Sequence, residues 1–306
     1  MSTVSVVIPT YNRESVIDGA IQSVLNQTHT DFELLVVDDA STDDTEQVLQ
    51  SQSDPRIQYI WLEENQGANT ARNIGVEEAS GEFIAFLDSD DIFTPEKLEV
   101  CVTELEKQED SCAGVFHSTQ FKDNGEVADV YTVDTGAVTQ EDLFGGNPIG
   151  GFSDVVFRAS VFDKVGSLDE ELPAYQDYEF FLRVLENHTM YGIPNVLSTK
   201  RDSIPRGDSS RISDQLDTKV EAQKLLVKEH PDLISKKVKS EFHYTRGFLH
   251  MRRGDAAEAQ KAFKTAIRVY PMNPLYYYHY LASVGGVRLF RKAVKVKKKT
   301  KLLVAS

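Results

Sequence analysis

A chain of 306 residues with 41% hydrophobic side chains can bury one large α/β domain and a smaller appendage, which excludes wholesale disorder. Its formal net charge of -15, from 48 acidic and 33 basic residues, argues against nonspecific binding to nucleic acid. No apolar run approaches the roughly 18 residues that span a bilayer, and the two cysteines, Cys101 and Cys112, suit neither a disulfide framework nor a zinc site.

Val4–Ile8 reads as a short apolar strand ending at Pro9. It begins with no basic segment before it, so the expectation is a cytoplasmic enzyme without a signal peptide. Asn12 is the predicted N-cap of a helix on which Val16, Ala20 and Val24, with Ile17, Ile21 and Leu25, recur at helical spacing. Phe32–Val37 is the second strand, and Ser41 with Asp44 resembles a capping box for the next helix. Ile57–Leu62 is the third strand, Gly67–Ala79 a helix and Phe83–Leu87 the fourth strand. Thr94-Pro95 opens a helix with proline at its first position. This alternation predicts a doubly wound, mostly parallel sheet with helices on both faces.

Further on, Gly145, Gly146, Gly150 and Gly151 surround Pro148 and predict a loop that permits close backbone approach. A strand at Val155–Arg158 and a helix at Tyr178–Asn187 follow, and residues 200–215 read as a polar surface loop or lid. The predicted organisation is a first domain over 1–215, a helical region over 216–286 and a tail over 287–306. Within 240–273, Gly247, Ala259, Phe263, Ala266 and Pro271 have the spacing of one tetratricopeptide-like helix pair, which cannot bury its own face. From Ala259 onward there are 11 basic residues and no acidic one, whereas residues 1–90 have no lysine. The lysine-poor, acid-rich body suits a halophilic source. The tail, with Val287, Phe290, Ala293 and Val294 on one side and Tyr276, Tyr277, Tyr278 and Tyr280 before it, is expected to lie peripherally on a membrane surface at its cytoplasmic face.

The chemistry concentrates at strand ends. Asp88 and Asp90, in Phe86-Leu87-Asp88-Ser89-Asp90-Asp91, are two apart on an extended chain and point the same way. Ligands of open α/β sheets bind beyond the carboxyl ends of strands, and carboxylate oxygens suit Mg²⁺ or Mn²⁺. Alone, this D-x-D pattern is common by chance and reads first as a solvated acidic turn before a helix. A second acidic turn, Asp38-Asp39, and the segment Pro9-Thr10-Tyr11-Asn12 also end strands.

Together with Asn65-x-Gly67 and Arg72-Asn73, the segments VSVVIPTYNRE, LLVVDDASTDDT, NQGANTARNIG and FIAFLDSDD resemble the inverting glycosyltransferases of family 2 over roughly residues 3–215. The resemblance implies a GT-A-type fold and a nucleotide-sugar donor, with Pro9, Thr10 and Tyr11 in the nucleotide site and Asp39 accepting a hydrogen bond from the base, usually uracil. It puts Arg72 near the donor, Asp88 near the ribose or metal, and Asp90 as the main metal ligand. Tyr175-Gln176-Asp177-Tyr178-Glu179, with Arg183 beyond, resembles the family's E-D-x-[DE]-x-x-x-R segment. That makes Asp177 the general base and Glu179 the fallback, with Gln176 where the family has glutamate. Asp177 reads equally as an N-cap, Arg183 as an intrahelical ion-pair partner, and Asp154 as structural or acceptor-contacting.

The implied reaction is transfer from a UDP-sugar to a lipid-linked or other glycan acceptor, in protein glycosylation or surface polysaccharide assembly. A polyprenyl-phosphate sugar synthase is the alternative enzyme, in which Asp177 positions an already ionised phosphate. A non-catalytic interaction protein on a transferase fold is the alternative from another class. A dinucleotide oxidoreductase is excluded because PTYNRE stands where a G-x-G-x-x-G would follow the first strand.

Overall fold

The computed structural model describes residues 3–123, 125–143, 146–201 and 216–290. The chain divides into two compact units, the first built mainly from residues up to 206 and the second mainly from residue 207 on.

Seven consecutive buried residues form β1, Val4–Thr10, a run with the continuous apolar character of a strand covered on both faces. After α1 (Ile17–Leu25), β2 (Phe32–Asp38) lies parallel to β1 in the register Val4↔Phe32 to Thr10↔Asp38. Next come α2 (Thr45–Gln50), β3 (Ile57–Trp61), α3 (Ala68–Glu77) and β4 (Phe83–Phe86), with β3 parallel to β2 and β4 parallel to β1. These registers align Thr10, Asp38 and the residues after Phe86 along one sheet edge.

Two predicted caps are not formed. The first helix starts at Ile17, and Asn12 lies outside it at φ 51°, donating its backbone N–H to Ser41 Oγ and accepting from the Thr42 N–H through Oδ1. Ser41 likewise makes no capping box, because its N–H donates to Asp38 and its hydroxyl is taken by Asn12. The polar groups expected to cap along the chain are spent sideways, lacing the loop after β1 to the loop after β2. The helix expected at Thr94 begins later, as α4 (Lys97–Lys107), after β5 (Asp91–Phe93).

Of the rest of the sheet, only the strand at Val155–Arg158 was apparent in the sequence. This remainder comprises β6 (Cys112–Asp123), β7 (Glu126–Tyr131), β8 (Gly136–Val138), β9 (Val155–Arg158) and β10 (Thr189–Arg201), with the short helices α5 (Gln140–Leu143) and α6 (Ser160–Val165) and the longer α7 (Gln176–Asn187) between them. The order is β3-β2-β1-β4-β9-β6-β10-β5, with β7 on β6 and β8 on β10. β9 is antiparallel to both neighbours, so the parallel expectation describes the first four strands and the β6–β10 pair. Lys200, at the start of the predicted lid, lies near the end of β10 opposite Asp91; positions 202–215 of that loop lie outside the described residues.

The second unit is helical: α8 (Leu216–Glu229), α9 (Lys236–Arg253), α10 (Ala256–Val269) and α11 (Pro274–Val284). Ser235, Asp255 and Asn273 each accept a backbone N–H at a helix start, and Gly254, at φ 89°, ends α9. A Cβ on Gly247 would sit 2.5 Å from the Phe263 ring, so only glycine lets α9 and α10 approach this closely. The pair's apolar face is covered within this unit, by Ala282 of α11 and by Phe290. Phe290 is therefore not a membrane-facing residue: it is 4% exposed, with its ring 5.0 Å from that of Phe248. Positions 291–306 of the predicted tail lie outside the described residues.

Candidate active site

The edge where β1, β2 and β4 end collects the acidic turns. Tyr11 is exposed, whereas Thr10 is buried with its hydroxyl unpaired. Ala40, at φ 62°, turns the chain after Asp39. The buried Asp39 carboxylate accepts the N–H of Gln66 at 2.7 Å and of Gly67 at 2.8 Å, while Asn65 donates to the Asp39 carbonyl at 3.2 Å. Asn65-x-Gly67 is thus the partner of the second acidic turn, and Asp39 orders the start of α3.

From α3, the buried Arg72 donates to Asp88 Oδ1 at 2.6 Å and to Asn69 Oδ1 at 3.0 Å, with its guanidinium 4.9 Å above the Phe152 ring. Asp88 receives this charge while its own side chain stays 40% exposed, and its N–H is held by Ser153 Oγ at 3.0 Å. Asp90 is partly exposed beside it, and Asp91 is buried behind. Burial pushes the Asp91 carboxyl well above the usual range; Lys200 opposes this, and the carboxylates of Asp88, Asp90 and Asp154 reinforce it.

Asp177 stands in the first turn of α7, its Oδ1 accepting the Tyr178 N–H at 2.7 Å. Burial raises its pKa against that hydrogen bond and the positive charges of Lys200 and Arg72, and Asp88 raises it further. Gly151 marks where the groups meet: a Cβ there would lie 3.0 Å from Lys200 Nζ, 3.7 Å from Asp177 Oδ2 and 3.9 Å from Asp154 Oδ2. The glycine-rich loop therefore leaves room for the Asp177 carboxylate and the Asp154–Lys200 ion pair around one point. Glu179 is held elsewhere. It is 2% exposed and accepts from Arg183 at 2.6 and 2.9 Å, and Arg183 also donates to the carbonyls of Val165 and Ser167.

Lys200 carries no sequence signal, whereas its partner Asp154 reads from the sequence as structural or acceptor-contacting. Asp154, 2% exposed, accepts from Thr119 at 2.5 Å and Ser198 at 2.9 Å on Oδ1, and from Lys200 and Gly151 at 2.9 Å on Oδ2. Burial alone would raise its pKa, but Lys200 and these donors hold it well below the carboxylate range. For Lys200, burial is outweighed by Asp154 and Asp91, so its ammonium stays charged. Beneath them Lys97, buried and donating to the Ser153 carbonyl at 2.7 Å, is pushed down to about 7 by burial.

Among the described residues no group of three His, Cys, Asp or Glu side chains converges to hold a metal by itself. The partly open carboxylates of Asp88 and Asp90 fit a hard cation of the kind that completes its shell with water and substrate phosphate.

Residues 5–166 match the family described as glycosyl transferase family 2. TuaG of Bacillus subtilis, provisionally described as a glycosyltransferase of teichuronic acid biosynthesis, is 36% identical over 205 residues, 65% of this chain and 78% of its own. The Escherichia coli UDP-Glc:alpha-D-GlcNAc-diphosphoundecaprenol beta-1,3-glucosyltransferase WfgD is 47% identical over 104 residues, 34% of this chain and 41% of its own. The mannosyltransferase PcManGT of Pyrobaculum calidifontis, solved with GDP-Man and Mn²⁺, is similar in fold, with a TM-score of 0.59 and 19% identity over 96% of this chain and 86% of that one. The architecture is that of the GT-A-type transferases.

Proposed function

The chain belongs to glycosyl transferase family 2, and from that premise we propose that it transfers a sugar with inversion from a UDP-sugar to a lipid-linked or other glycan acceptor. The observation that carries this reading is the carboxylate of Asp177 facing the same point as Lys200, beside the Arg72–Asp88 pair. WfgD, which by its name uses UDP-Glc and a diphosphoundecaprenol-linked acceptor, supports the donor and acceptor classes.

In this reading the nucleotide lies along the sheet edge, with Thr10 and Tyr11 against the base and the second acidic turn beside it. Asp39, already holding the 66–67 backbone, has acceptor capacity left for the base N–H. Asp88 and Asp90 would hold a divalent cation, Mg²⁺ or Mn²⁺, whose charge offsets that of the leaving diphosphate. Arg72 fixes one oxygen of Asp88 and so orients that carboxylate.

The acceptor hydroxyl attacks the anomeric carbon from the face opposite the diphosphate. Its proton passes to Asp177, the new glycosidic bond forms, and the electron pair of the breaking bond leaves with the nucleoside diphosphate. A carboxylate with a raised pKa is the better proton acceptor, which suits burial at Asp177. Single displacement inverts the anomeric centre.

The test is Asp177→Asn. It should lower kcat on the order of 10²–10⁴-fold and leave UDP-sugar affinity nearly unchanged. Released nucleotide is followed by mass spectrometry over a donor panel, with Mg²⁺, Mn²⁺ or chelator. Wild-type rates in the variant would remove Asp177 as base and favour an ionised phosphate acceptor. Full turnover in excess chelator would remove the metal from the scheme.

A further inference from the structure

α11 is apolar on the wrong side for a helix that only packs inward. Its buried face carries Tyr276, His279, Ala282 and Ser283, three of them polar. The Tyr276 hydroxyl bonds Ser240 and Glu241, and the His279 ring bonds the Tyr244 hydroxyl. The opposite face, at the i, i+4, i+7 spacing of one helical stripe, carries Tyr277 at 42%, Leu281 at 67% and Val284 at 59% exposed. Met272 before the helix and Leu289 after it are 77% and 51% exposed. A contiguous exposed stripe of this kind marks an interaction surface, whereas isolated exposed apolar residues need no explanation.

The surroundings are cationic. Lys264 and Arg268 are exposed on α10, with Lys264 Nζ 5.4 Å above the Tyr280 ring of α11, and Arg288 is exposed beyond the helix; Lys261 on α10 is paired with Glu258. From Ala259 to Phe290 there is no acidic residue.

We propose that the outer face of α11 docks the chain on an anionic lipid surface, with Leu281 and Val284 entering the headgroup boundary and the flanking lysines and arginines meeting lipid phosphates. The charge pattern selects this occupant. A second copy of the chain would bring the same cations face to face, whereas an anionic bilayer complements them and accepts apolar side chains with tyrosine hydroxyls at headgroup depth. The surface differs from the one expected in the sequence, because Phe290 is spent in the core. It stands independently of the transfer reaction, since binding is read without turnover.

The experiment is co-sedimentation of the full chain with phosphatidylcholine vesicles, with and without 30 mol% phosphatidylglycerol, a probe composition set on the order of that of anionic membranes. It compares wild type with the double substitution Leu281→Ser and Val284→Ser, whose fold is checked by circular dichroism; both sites are exposed. Wild type should bind the anionic vesicles, and the double variant should bind them about tenfold or more weakly. Raising salt to about 1 M shrinks screening lengths to roughly 3 Å and should weaken both proteins while preserving the gap between them. Equal binding of the two proteins overturns the proposal. So does binding that depends on residues 291–306 alone, or wild-type self-association that the substitutions abolish.

Discussion

A carboxylate that accepts from Thr119, Ser198, Gly151 and Lys200 has its lone-pair sites filled, so Asp154 acts on the site through Lys200 and offers nothing to a substrate. Folding lowers its pKa, so its stabilisation is present above its unfolded value near 3.8 and is lost as pH falls through the folded value. Folding raises the pKa of Lys200, so its share is present below 10.5 and is lost as pH rises through the folded value. The pair therefore stabilises across the whole range between those unfolded values. Asp154→Asn should cost about 3 kcal/mol at pH 7, the low end for a buried pair because Lys200 reaches water. The gap to wild type should narrow as pH falls below about 4; denaturant unfolding at pH 7 and pH 3 reads both, and an equal gap at the two would refute the assignment. The acidic turns were legible in the sequence because each follows an apolar run that ends abruptly. Lys200 was not: a lone lysine in a polar stretch has no pattern, and its meaning comes from β10 lying opposite Asp91, more than 100 residues away in the chain.

Within α7, two acids two residues apart do different work, and the helix geometry separates them. Asp177 sits at the open end with its N–H neighbour Tyr178, while Glu179 is buried and closes an i,i+4 pair with Arg183. That pair also anchors the carbonyls of Val165 and Ser167, so it fixes α7 to the turn after α6. Glu179→Gln should therefore lower stability by about 1–3 kcal/mol, read as a fall in Tm, with kcat within a few-fold of wild type. The opposite pattern, kcat down a hundredfold at unchanged Tm, would transfer the base role to Glu179. The sequence located α7 to within two residues because its apolar positions recur at helical spacing. It did not reveal β6 and β10, long strands whose residues mix polar and apolar types and whose pairing is nonlocal. Nor could it reveal that Asn12 and Ser41 bond each other, because a cap and a loop-to-loop bridge use the same side chains.

At the scale of the whole chain, charge is separated along the sequence. Residues 1–90 hold 17 acidic side chains against Arg13, Arg56 and Arg72, and the segment from Ala259 is purely basic. Few of the acids are neutralised locally: Asp54 is paired with Arg56 and Asp88 with Arg72, while the turns at 43–46 and 63–64 have no cation close by in sequence. Self-repulsion of this kind destabilises the folded state and is screened by salt, with a Debye length of about 10 Å at 0.1 M and roughly 3 Å at 1 M. The buried Asp154–Lys200 pair is screened far less, so its contribution survives the same change. Thermal unfolding in KCl should therefore show Tm rising between about 0.1 and 1 M, and Asp154→Asn should keep its deficit at both concentrations. Replacing exposed Glu63 and Glu64 by glutamine should raise Tm at low salt and have little effect at high salt. A Tm that falls as KCl rises would mean that the attraction between the acidic and basic segments outweighs repulsion within the acidic one, and would reverse this reading of the charge.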